Sequence, residues 1–135
     1  WYNLEMNIFF PSLWSLGVFL LLVLITHGWA TLASAYFFIW WLDIVMHFAG
    51  GLWVAMAALF LLRNLSFKNV ILLWLVLGLV ALVGIFWEFL ELGLNQIGFP
   101  GFPRPVVEDT LGDLLADLLG GIVSFILFKK RRENL

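Results

Sequence analysis

The stretch VILLWLVLGLVALVGIFWEFLEL, residues 70–92, meets no ionisable side chain until Glu88. It is long and apolar enough to cross the hydrocarbon of a bilayer, which takes about 20 mainly apolar residues. Its solvent is therefore lipid, and the segments on either side read the same way. Of the 135 residues, 64% are hydrophobic and only 12% charged, with a mean hydropathy of +1.06. Soluble domains carry roughly a quarter charged residues. The length leaves room for about four spanning helices and no second, soluble domain. Zero cysteines exclude disulfides, thiolate metal sites and cysteine nucleophiles. Eight tryptophans within an aromatic content of 18% fit a membrane protein, whose amphipathic rings favour the interface. The apolar runs recur along the whole chain rather than only at its start, so a cleavable leader is not expected.

Before the central stretch lies a span at about residues 41–62, closed by the short polar loop Arg63-Asn64-Leu65-Ser66-Phe67-Lys68-Asn69. Before that, a span at about residues 8–27 has Pro11 near its start, where a missing N–H costs least, and ends at Thr26-His27-Gly28. Residues 29–41 are aromatic and carry the small residues Ala30, Ala33, Ser34 and Ala35. They read as an interfacial connection, with a re-entrant piece or the start of the next span as alternatives. After the central stretch, Gly98-Phe99-Pro100-Gly101-Phe102-Pro103-Arg104-Pro105 breaks any helix. A fourth span at about residues 109–128 opens at Asp109, a good N-cap type, and closes before Lys129-Lys130-Arg131-Arg132. The expected fold class is all-α: a polytopic membrane helix bundle of about four transmembrane helices, plus an interfacial helix, in a single integral membrane domain over residues 1–135.

Orientation follows from Lys and Arg, which are retained near span ends on the cytoplasmic side. Arg63, Lys68 and the basic run at residues 129–132 make six of the seven basic residues, and an even number of spans puts them all on one face. The topology is N-in/C-in, with only Arg104 outside.

The acids then fall into place. Asp43 and His47 lie in the first turns of the second span, Glu88 and Glu91 in the last turns of the third, and Asp109, Asp113 and Asp117 in the first turns of the fourth. With Glu108, seven of the nine acids lie near the extracytoplasmic ends, where His27 closes the first span. Residues three or four apart share a helix face, so Asp43/His47, Glu88/Glu91 and the Asp109/Asp113/Asp117 series each make a stacked polar face. His47, Glu88 and Asp113 sit about one turn inside their spans and are the first choice for a shared centre. Asp117, about 6 Å deeper than Asp113, is either a supporting partner or the inner end of a polar pocket.

Carboxylates gathered in a low dielectric must take up protons, pair with cations or bind a metal. Arg104 alone cannot neutralise seven acids. An oxygen-rich set with one imidazole suits Mg, Mn, Ca, Zn or non-haem Fe, and helix bundles build such sites from inward Glu and His. The candidate ligands of a divalent metal ion are His47, Glu88, Glu91, Asp113, Asp117 and Asp43; the candidate catalytic residues are Glu88, Asp113 and His47; and Arg104 is the candidate for an anionic head group. The plainer reading is a hydrogen-bonded network that fixes helix packing. Asp109 and Glu108 are better explained as an N-cap and a first-turn acid, and His27 as interfacial. The Gly50-Gly51 pair and the Gly112, Ala116, Gly120 spacing have a structural explanation, since small residues let helices approach closely.

The ordered motifs Asp43-Ile44-Val45-Met46-His47-Phe48, Trp87-Glu88-Phe89-Leu90-Glu91, Asp109-Thr110-Leu111-Gly112-Asp113 and Ala116-Asp117-Leu118-Leu119-Gly120-Gly121 resemble the VanZ-like and YjdF-like bacterial membrane proteins. The likeness covers about residues 41–128. VanZ-like members typically have Asp and His opening one helix, Glu with a following Gln in the next, and Asp followed by Asn and Gly in the last. Here Glu91 stands where Gln is usual and acids enrich the last motif, which is nearer the YjdF-like side. The resemblance implies a multi-pass protein of the bacterial cytoplasmic (inner) membrane, with a link to glycopeptide-antibiotic tolerance in some relatives, and no established reaction.

The functional expectation is an envelope protein whose metal-loaded acid and histidine pocket handles a lipid-linked or amphipathic substrate, with metal-dependent hydrolysis as the activity such a pocket could support. A proton- or cation-coupled transporter is the rival, weakened by the lack of ionisable residues in the inner halves of the spans. A noncatalytic assembly subunit is the third reading. The bilayer is the expected partner, and no nucleic acid is expected. The orientation is tested by cysteines placed at Arg104 and Asn134: an impermeant thiol reagent added to intact cells should label only the former. Labelling of both from outside would overturn the N-in/C-in topology.

Overall fold

The computed structural model describes residues 12–99 and 107–133. Four helices fill these segments: α1 (Leu13–Leu32), α2 (Leu42–Leu62), α3 (Asn69–Gln96) and α4 (Val107–Glu133), with a single 3-10 turn, Ala35–Phe37, between the first two. All four are long and apolar enough to cross a membrane, and no strand occurs among the described residues. The chain is an all-helical, polytopic membrane bundle. Its helices alternate in direction, so one end carries the acids (the acidic end) and the other carries Arg63, Lys68, Lys129 and Lys130 (the basic end).

Local chemistry sets the helix limits. Ser12 caps α1 by accepting the Ser15 N–H at 3.1 Å. The helix then passes His27 and Gly28, where the sequence reading ended the span, and continues to Leu32. A glycine inside an otherwise apolar helix lowers its stability without stopping it. The break comes at Ser34, whose positive φ of 52° turns the chain into the 3-10 segment. The expected interfacial piece at residues 29–41 is therefore the last turn of α1 plus one tight turn, pinned by a small buried cluster of Ala30, Ala35, Tyr36 and Leu42. At 28 residues, α3 is about 42 Å long, more than the hydrocarbon requires. It ends at Gly98, whose φ of 73° is the left-handed conformation common after helix C-termini. Asp109 lies within the first turn of α4 rather than at its cap, because the helix already starts at Val107. Pro11 and Arg104 lie outside the described residues.

Packing centres on α2. It lies against α4 along most of its length, α3 packs on both, and α1 packs on α2 and the 3-10 turn. Toward the basic end the three inner helices share an apolar core of Ala55, Ala58, Leu59, Leu72, Val76, Val80 and Phe125. The close approach of α2 and α4 depends on two glycines. A Cβ on Gly120 would strike the Phe48 carbonyl oxygen, and one on Gly51 would strike the Asp117 backbone. Gly112, expected to belong to the same small-residue seam, faces open space instead. Asp113, the next residue, is the one that turns toward α2 at this level, and nothing crowds Gly112.

Gly51→Ala and Gly120→Ala should each destabilise the bundle by about 1–3 kcal/mol, the usual cost of overpacking. Gly112→Ala should cost nothing. Unfolding in mixed detergent micelles measures this, and equal effects at all three positions would contradict the packing described.

Candidate metal centre

His47 is the hub of the acidic end. It follows Asp43 by one turn on α2 and is only 6% exposed. Its two ring nitrogens face different surroundings. Nδ1 lies 3.3 Å from Oδ2 of Asp117 on α4, within hydrogen-bonding distance. Nε2 lies 3.7 Å from Oε1 of Glu88 on α3 and 3.9 Å from Oδ1 of Asp43, both too long for hydrogen bonds. With Asp117 ionised and the ring neutral, the bond to Asp117 would place the ring hydrogen on Nδ1 and leave a lone pair on Nε2; a protonated ring would instead carry a hydrogen on each nitrogen. Nε2 and the oxygens of Glu88 and Asp43 therefore face one another in a buried place, which either a proton on the ring or a bound cation would accommodate.

The remaining acids extend this cluster. One carboxylate oxygen each of Asp43 and Asp113 and one ring nitrogen of His47 lie mutually within 4.8 Å; a second such group comprises His47, Glu88 and Glu91. His47 belongs to both. Among the described residues, His47 Nε2, Glu88 Oε1 and Asp113 Oδ1 are buried side-chain atoms that have no hydrogen-bond partner. They come from three helices, and Asp113 is only 3% exposed. Two donors about 2.1 Å from one ion stand at most about 4.2 Å apart, so the 3.7 and 3.9 Å separations around Nε2 suit a shared cation. The donor set is oxygen-rich with one imidazole, which fits a divalent ion such as Mn, Zn, Fe or Mg.

Asp117 is set apart from the other candidate ligands. It stands on the Nδ1 side of the ring, in a niche opened by glycines: a Cβ on Gly84 would strike its carboxylate, and the position of a Cβ on Gly50 is 3.9 Å from its Oδ1. This is the relation of a carboxylate that orients a metal-binding histidine through its far nitrogen. Glu108 and Asp109 stay exposed in the first turn of α4, where acids suit the helix dipole.

Three residues to which the sequence reading gave no role hold side chains of the acidic end in place, two of them acids and one a histidine. Thr110 donates its hydroxyl to Glu88 Oε2 at 2.7 Å, and Trp87 donates its indole N–H to Glu91 Oε1 at 2.7 Å. Each glutamate is thus fixed through one oxygen. Tyr36, from the 3-10 turn, lies 2.7 Å from His27 Nδ1, and the His27 ring meets Trp87 edge-on at 5.1 Å. Burial, reinforced by Asp43 and Glu91, pushes the Tyr36 phenol up, so it stays protonated and can donate to His27. Trp87 was legible as the residue four before Glu91, and Thr110 as the residue three before Asp113. Tyr36 gave no signal, because its position depends on the turn at Ser34.

A membrane bundle whose described residues form four helices, with buried acids and a histidine at one end, is the class that fold and site define. Residues 2–134 match the family described as "Predicted membrane protein (DUF2238)", and the chain belongs to that family. No curated protein and no solved structure matches the chain.

Proposed function

We propose that this chain is a bacterial envelope protein whose centre binds a divalent cation and acts on a lipid-linked or amphipathic substrate at the extracytoplasmic side of the inner membrane. The observation that carries the reading is that His47 joins two groups of potential ligands, one with Asp43 and Asp113 and one with Glu88 and Glu91, while its Nε2, Glu88 Oε1 and Asp113 Oδ1 are buried without a hydrogen-bond partner. Packing alone gives no reason to gather acceptors without donors, because unsatisfied buried polar groups are costly in any apolar medium. His47, Glu88 and Asp113 would hold the ion, with Asp43 and Glu91 as flanking ligands and Asp117 fixing the ring. A divalent ion there would polarise a phosphoryl or acyl oxygen and lower the pKa of a bound water. A flanking carboxylate not engaged as a ligand would serve as base, which makes metal-dependent hydrolysis the reaction class the centre suits best. Arg104, which the sequence places in the loop between α3 and α4, is the candidate for steering an anionic head group. The likeness to VanZ-like and YjdF-like proteins supports the envelope setting, and the basic residues support the orientation. The transporter reading is weaker, since among the described residues the buried α2–α3–α4 core beyond Asp117 holds no ionisable side chain, Ser124 being its polar member.

Glu88→Gln and Asp113→Asn keep size while removing charge. Each should weaken metal binding in folded protein by at least the roughly 10–100-fold typical of lost supporting carboxylates, and Asp117→Asn should fall within that range. Phe86→Leu, on the exposed face of α3, should leave binding intact. Binding curves from metal titration of the purified variants read this out. Unchanged affinity in both amide variants would sink the metal reading and leave the packing network.

A further inference from the structure

Beside the centre lies a cavity of about 200 Å³ lined by all four described helices. It is larger than the roughly 150 Å³ apolar cavity that can take up benzene, yet below the usual range for drug-sized ligands. Its wall changes character along the bundle. Asp43 and His47 line it roughly 2–8 Å from the start of α2, whereas Leu20 and Val80 line it roughly 18–24 Å from the acidic ends of α1 and α3. Gly50 keeps the junction open, because no side chain fills the space beside the Asp117 carboxylate.

The cavity also borders the lipid-facing surface. Leu24 of α1 and Val83 of α3 both line it, yet they are 52% and 45% exposed on the bundle surface. The two helices meet at their acidic ends through His27 and Trp87, and among the described residues they have no extended packing contact elsewhere. The Trp53 indole, bonded to the Leu16 carbonyl at 2.8 Å, ties α1 to α2 toward the basic end. Between these two ties, Leu24 and Val83 give the cavity an apolar, surface-exposed border at hydrocarbon depth, where the surrounding medium is lipid chains.

We propose that this cavity binds one aliphatic chain of a membrane lipid, which enters sideways between Leu24 and Val83 and lies against Leu20 and Val80. The oxygen-bearing linkage between that chain and its head group then reaches Asp43 and His47. This deepens the proposed function, on which the role of the head-group contact rests, by naming the substrate class: a bilayer lipid presented from the membrane side, rather than a soluble amphiphile arriving through water. Polar wall toward the acidic end and apolar wall beneath it match the orientation of a lipid in its leaflet, so the molecule need not leave the bilayer to reach the centre. The occupant is slender, since the cavity takes one chain.

The test uses the full chain reconstituted in phosphatidylethanolamine bilayers containing phosphatidylglycerol with a diazirine midway along one acyl chain, with metal content measured on the same samples. Val80, 1% exposed and lining the cavity, is compared after photolysis with Val76, equally buried but outside it. Adducts should form on Val80 and not on Val76. Leu24→Trp and Val83→Trp, both at exposed positions that tolerate bulk, should cut Val80 adducts roughly tenfold or more, the equivalent of about two buried methylenes. Neither should alter metal content. Leu79→Trp, exposed but outside the cavity, should change nothing. Val80 labelling no higher than Val76, or labelling indifferent to the Leu24→Trp and Val83→Trp changes, overturns the chain site even if metal is bound. Val80 labelling without bound metal upholds the chain site and removes the metal reading.

Discussion

The arrangement depends on how one buried imidazole is held. His47 Nδ1 lies within hydrogen-bonding distance of Asp117, and that contact turns Nε2 toward Glu88 and Asp43. In water such a crowd of acceptors would be hydrated and unremarked. Here it lies inside a bundle whose surroundings are hydrocarbon, where each unpaired acceptor is expensive and charges of one sign repel with little screening. The constraint also reaches the backbone. Asp117 can stand beside the ring only because Gly51 and Gly84 have no side chains, and Gly120 brings α4 close enough to α2 for the contact to form. The glycines therefore serve packing and site together.

The acidic end is built in layers around that contact. Asp43 of α2 and Asp113 of α4 lie within reach of the ring, Glu88 and Glu91 approach from α3, and each glutamate is fixed by one donor, Thr110 or Trp87. One oxygen of Glu88 is engaged with a donor and the other points at Nε2 without one. A structural network would be expected to satisfy both. The partition between fixed and free oxygens is what separates a ligand set from packing glue, and it motivates the proposed cation.

Much of this was legible in the sequence because membrane helices have few options. An apolar run of 23 residues such as residues 70–92 has to be a span, and acids interrupting several such runs at the same end have to be accommodated together. The i,i+4 spacing of Asp43 and His47 put them on one face. Other features escaped. Whether Asp117 lies on the Nδ1 or the Nε2 side of His47 depends on the rotation of α4 about its axis, which spacing alone does not specify. The passage of α1 through Gly28 and the single turn at Ser34 depend on the small cluster around Tyr36 and Ala30, a tertiary effect that overrides a local stop signal. Gly112 reads like Gly120, yet only Gly120 meets a neighbour. The cavity leaves no periodic signature, since its walls come from all four described helices.

The central claim is that a divalent cation, rather than a proton alone, resolves the opposition between His47 Nε2 and the acids. Elemental analysis of wild-type protein, purified in detergent without chelators or metal-affinity resin, addresses it most directly. About one tightly held divalent ion per chain is the predicted result, as for a closed His and carboxylate site. Folded protein that carries no ion, and takes up none when dialysed against Mg, Mn, Ca, Zn or ferrous iron, would contradict the account and leave a protonated, hydrogen-bonded carboxyl cluster in its place.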